Sequence, residues 1–150
     1  MLNEMERTER NSYARMLIQE NLIAATILAL FRSVELCPTP RLRGLIPGSG
    51  FDYPKLEKYT LGQLLKVANP LLSKQTFRKL DRFKKLRNDL THNILFKYDD
   101  WEKMSADAGR VVKRGSAALK SLRAKQNAEL KNSTERYKKW RRNNSAKRGP

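Results

Sequence analysis

Between Asn3 and Leu36 the chain carries neither proline nor glycine, and Met16, Leu17, Ile23, Ala24, Ile27, Leu28, Phe31 and Val34 recur at helical spacing. That spacing predicts one long amphipathic helix with a single apolar stripe, which must be covered by other elements. The rest of the chain has to supply the cover. The stretch from Cys37 to Pro54 holds four of the six prolines and three of the seven glycines. It reads as a long loop, because neither a helix interior nor a central strand tolerates that density.

Helical signals then resume. Thr60 followed by Gln63 fits a capping box, and Leu61, Leu64, Leu65 and Ala68 predict a short helix closed by Asn69-Pro70. Ser73 is the expected N-cap of a helix carrying Phe77, Leu80, Phe83, Leu86 and Leu90 and ending near His92 or Asn93. Asp99, with Glu102 three positions on, opens a last helix whose buried stripe is Trp101, Met104, Ala108, Val111, Ala118, Leu119 and Leu122. No segment calls for a strand. The expected fold is all-α: a small bundle of four to five helices, with a long Pro/Gly loop after the first helix and a basic C-terminal extension. Residues 1–125 form the helical domain, and residues 126–150 are expected to be partly helical and then disordered.

Composition removes several function classes. One cysteine, Cys37, and one histidine in 150 residues can form neither an internal disulfide nor a zinc site. No cofactor or metal is expected, and Asp99, Asp100 and Glu102 read as a helix cap. The first residues are acidic where a signal peptide is basic, and the longest apolar run, Leu22 to Phe31, is about half the roughly 20 residues that span a bilayer. A cytoplasmic protein without a membrane partner is the expectation. The formal net charge is +17, and from Arg110 onward fourteen Lys or Arg face two Glu. Such a field favours a polyanionic partner. Within it Tyr137 and Trp140 stand among Lys131, Arg136, Lys138, Lys139, Arg141 and Arg142, a pattern that suits base stacking with phosphate contacts. The bland alternative is a solvated basic tail.

The only histidine lies in Arg87-Asn88-Asp89-Leu90-Thr91-His92. As a bare spacing, an Arg with a His five positions on is weak. With its flanks, from about Leu17 to Leu122, the string resembles the HEPN superfamily, all-α proteins whose signature is Arg, a polar residue that is often Asn, a few residues, then His. The resemblance implies a metal-independent endoribonuclease acting as a homodimer on RNA, with Arg87, Asn88 and His92 as catalytic residues. It also implies a role as a toxin or phage-defence effector beside an antitoxin or within a larger complex. The chemistry suits the residues: imidazole exchanges protons near neutrality, and a guanidinium fork matches phosphorane oxygens. On a straight helix Arg87 and His92 diverge by about 140°. Either the helix loosens before His92, or a second protomer completes the site. A different class fits the same features: a catalytically inactive dimeric adaptor or repressor that binds nucleic acid or a partner protein. A third reading is an inhibitor that occupies a groove meant for nucleic acid.

Overall fold

The computed structural model is all-helical. It describes residues 4–36, 38–93 and 100–147, the side chains of residues 4–10 and of Trp101 excepted, with no strand among them. Cys37 and Asp99 lie outside the described residues. Helix α1 (Glu4–Leu36) is followed by two single turns, α2 (Pro40–Arg43) and α3 (Tyr53–Leu56). Next come α4 (Leu61–Ala68), a 3-10 turn (Asn69–Leu71), α5 (Lys74–Asn93) and the 47-residue α6 (Trp101–Lys147).

Long helices make the core. α1 and α5 both pack along α6, and the short α4 leans on α1 and α5. Met16, Ile23, Ile27, Leu30, Phe31 and Val34 of α1 are fully buried, as are Leu80 and Phe83 of α5 and Ala108, Ala118 and Leu122 of α6. The predicted stripe on α1 therefore faces inward, except that Leu17 sits at its edge and is partly exposed. By length and composition Asn11–Leu36 could cross a membrane, more than its ten-residue apolar run suggests. In this fold α6 packs along it.

Helix starts follow the expected chemistry. Thr60 and Gln63 form a reciprocal capping box, and Ser73 Oγ accepts from Thr76 N at 3.2 Å. At α6 the cap is Asp100, whose Oδ1 accepts from Glu102 N at 2.9 Å. Two expectations change. The Pro-rich stretch is not one long loop, because Pro40 and Pro54 fall in the first turns of α2 and α3, where a missing N–H removes no helical hydrogen bond. Thr39 and Asp52 cap those turns, and Leu42 and Leu56 anchor them in the core. Between them Gly50 takes φ 78° beside Glu35. The Glu35 carboxylate accepts from Phe51 N and from the Tyr53 hydroxyl at 2.8 Å, tying the segment to α1. The second change is at the C-terminus, where α6 continues to Lys147 through residues expected to be disordered. Lys, Arg, Ala and Glu are good helix formers on propensity alone.

One glycine sets the spacing of the long helices. An added Cβ at Gly115 of α6 would overlap the Gln19 side-chain amide and lie 2.6 Å from Phe83 Cε2. Gln19 is itself buried, donating from Nε2 to Val112 O at 3.0 Å and to Ser116 Oγ at 2.9 Å.

Candidate functional site

α5 presents the motif residues. It is continuous to Asn93, so no loosening precedes His92, and the angular separation of about 140° between Arg87 and His92 stands. The buried side of α5 is marked by Thr76, Leu80, Phe83 and Leu90. Arg87 flanks that side, Asn88 lies about 100° around the helix from it, and His92 follows Asn88 by one turn, some 40° further toward solvent. His92 is exposed.

Arg87 and Asn88 open onto a cleft of about 520 Å³ between α1, α4 and α5, lined also by Glu20, Thr60, Leu61, Gly62, Gln63, Lys66 and Lys84. His92 is not among the lining residues. Within the cleft Arg87 Nε and Glu20 Oε2 form an ion pair, although the buried Nε–H finds no hydrogen-bond alignment there. It is a charge contact more than a directed bond. Arg87 Nη1 donates to Asn88 Oδ1 at 3.3 Å, and the Thr91 hydroxyl donates to Arg87 O at 2.9 Å. The motif is thus braced from both sides along its own helix. Lys84 lies 3.1 Å from Asp81 Oδ1, and Lys85 lies 2.9 Å from Asp81 Oδ2. The hydrogen bond from Lys85, opposed by burial and reinforced by Lys84, holds the Asp81 carboxyl below its ordinary pKa. Asp81 therefore stays charged and keeps Lys84 beside the cleft.

The structure brings Arg87 and Asn88 together and leaves His92 outside their cleft. Sequence reasoning missed Glu20, Lys66 and Lys84. For Glu20 there was a signal, since Gln19 and Glu20 interrupt the apolar stripe of α1, and polar residues at such positions require partners. For the two lysines there was none, because surface lysine is common. No three His, Cys, Asp or Glu side chains converge among the described residues.

The basic residues form a separate surface. α6 keeps its buried contacts as far as Leu122 and Glu129, and Glu129 takes a 2.9 Å bond from Lys125. Beyond Glu129 the side chains are mostly exposed. Tyr137 and Trp140 are about 60% exposed and stack on each other, with ring centroids 6.0 Å apart and planes 27° from parallel. Lys131, Lys138, Lys139, Arg141 and Arg142 surround them in solvent, while Arg136 is half-buried. From Leu130 to Lys147 the helix rises about 27 Å at 1.5 Å per residue. The charge is therefore carried on a largely exposed helical segment.

Comparison with known protein families, with curated proteins and with solved structures finds no match.

Proposed function

We propose that the protein binds RNA and cuts it without a metal, as a homodimer. The observation that carries this reading is the continuous α5, which sets Arg87 and Asn88 on a cation-rich cleft and leaves the only histidine solvent-exposed one turn further on. Imidazole takes the proton of a ribose 2′-OH as that oxygen attacks phosphorus. The bond to the 5′ oxygen breaks, and that oxygen takes a proton from water. The products are a 2′,3′-cyclic phosphate and a 5′-hydroxyl. Arg87 neutralises the equatorial oxygens, and Asn88 holds the guanidinium through its Oδ1. Because one straight helix does not aim Arg87 and His92 at one phosphorus, the histidine of one protomer serves the arginine of its partner. The α6 arm holds the strand by stacking on Tyr137 and Trp140 and by phosphate contacts from its lysines and arginines. A small, RNA-cutting, highly basic chain suits a toxin or phage-defence effector, restrained in the cytoplasm by a partner.

The test is cleavage of single-stranded RNA by the full chain in EDTA, against the same strand with one 2′-deoxy nucleotide at the scissile position. His92→Ala and Arg87→Ala are expected to lose cutting, and the deoxy strand to survive at that position. Cutting of the deoxy strand, or full activity in His92→Ala, refutes the mechanism. One observation favours the second reading, an inactive adaptor: Arg87 already has a protein counter-ion in Glu20. In that case Glu20→Gln and Arg87→Ala lower stability while RNA affinity stays with the arm.

A further inference from the structure

We propose that the cleft between α1, α4 and α5 recognises a terminal phosphate, the dianionic phosphomonoester at the end of a nucleic-acid strand, with Lys66 and Lys84 as its ligands alongside Arg87. Its volume of about 520 Å³ lies in the range of small-ligand clefts. Three cations, Lys66 from α4 and Lys84 and Arg87 from α5, face a single carboxylate, Glu20 from α1. The lining therefore carries an excess of two positive charges. An internal phosphodiester brings one negative charge, whereas a phosphomonoester brings about −1.5 to −2 at neutral pH, so the monoester is the closer match.

The cations differ in how they are held. Arg87 is fixed by Glu20 and Asn88, and Lys84 is tethered at the edge through Asp81. Lys66 has no ion-pair partner among the described residues, and it is exposed. An unpaired lysine, a tethered lysine and a braced guanidinium converging on one concave surface make a phosphate cradle with fixed and adjustable members. This inference shares Arg87 as a phosphate ligand with the cleavage reading, but it needs neither His92 nor a second protomer.

The test is titration of the full chain with short 2′-deoxy oligonucleotides carrying either a 5′-phosphate or a 5′-hydroxyl, and with inorganic phosphate. The phosphorylated strand is expected to bind about tenfold tighter, the worth of one charge-assisted contact. Lys66→Gln with Lys84→Gln is expected to remove that preference. Lys120→Gln, which deletes the same kind of charge on the exposed face of α6, is expected to keep it. If inorganic phosphate binds in a manner that depends on Lys66 and Lys84 while the strands show no end preference, the cleft is a site for the free ion and the strand-end proposal is overturned. The proposal is overturned if wild type shows neither the end preference nor phosphate binding, a result that needs no variant to fold. Equal loss of preference in Lys120→Gln, or no loss in the double variant, overturns it as well. A chain that cuts RNA without discriminating strand ends refutes this inference alone. One that discriminates ends without cutting refutes the cleavage reading alone.

Discussion

Gly115→Ala is a perturbation whose sign decides whether the three long helices meet as closely as the structure has them. In a helix interior the substitution is expected to stabilise by about 1 kcal/mol, because glycine loses the most backbone freedom on folding. Opposing it, the new methyl overlaps the Gln19 amide and approaches Phe83 to 2.6 Å. Neither neighbour has room, since Gln19 is buried and Phe83 fully so. Moving Gln19 aside gives up its bonds to Val112 O and Ser116 Oγ, worth about 1 kcal/mol each, and overpacking adds roughly 1–3 kcal/mol. The net expectation is a loss of about 2–4 kcal/mol, or some 6–12 °C in Tm for a chain of this size. Gly109→Ala on the same helix is the internal control, because nothing lies within 4 Å of its added Cβ; it is expected to stabilise by about 0.5–1 kcal/mol. Urea unfolding followed by helical circular dichroism reads both variants. A Gly115→Ala protein as stable as wild type, or more so, refutes the close crossing. Glu20, next to Gln19 on α1, would then have no fixed distance from Arg87.

The remaining predictions concern charge and the arm. Asp81→Asn is expected to cost under about 1 kcal/mol at neutral pH. The lowered native pKa means the difference from wild type is present above the unfolded carboxyl pKa of about 3.9 and fades as pH falls further, which a series of melts across acid pH checks. Tyr53 is the opposite case: burial first, then the hydrogen bond to Glu35, raises its pKa well above 10.0. Its contribution is whole below about pH 10 and is lost as pH rises, so Tyr53→Phe is expected to be less stable at neutral pH and to lose that alkaline sensitivity. Lys138→Gln with Lys139→Gln is expected to reduce the slope of log affinity against log salt for single-stranded RNA by about 1.4, with Tm unchanged because both residues are exposed. Trp140→Ala is expected to weaken the same binding by about 1–3 kcal/mol.

Local signals carried most of the fold. The stripes of α1, α5 and α6 and the caps at Thr60 and Ser73 depend on residues three or four apart, and the structure has the caps as read and the stripes as read apart from Leu17, with the Trp101 side chain outside the described residues. Where the reading failed, a local rule met a context it did not include. Proline reads as a helix breaker, yet Pro40 and Pro54 enter first turns. The last helix lacks an apolar stripe beyond Leu130, yet it continues to Lys147, with helix-forming Lys, Arg and Glu among its residues. Contacts between distant residues were not legible. Gln19 meets Val112 across 93 positions; its place on the apolar stripe says that it needs a partner, but not which one. The Glu20–Arg87 pair is of the same kind: the sequence singles out Arg87, but its counter-ion is set only by how α1 lies against α5.

That pair and the course of α5 together decide how the motif can work. A kink before His92 would have let one chain aim both groups at one phosphate, but the helix is regular to Asn93. The guanidinium is turned toward α1 and the cleft, while the imidazole follows Asn88 on the solvent side. In the cleavage proposed above, Arg87 and His92 reach one phosphate only from two copies of α5 facing each other, so the cutting rate at low concentration is expected to fall with the fraction of dimer, not in proportion to total protein. Mixing Arg87→Ala and His92→Ala chains discriminates further. A shared site regains one intact Arg–His pair in the heterodimer and recovers activity, whereas a site within one chain recovers none. Failure of that mixture to cut, with heterodimers present, refutes the shared site.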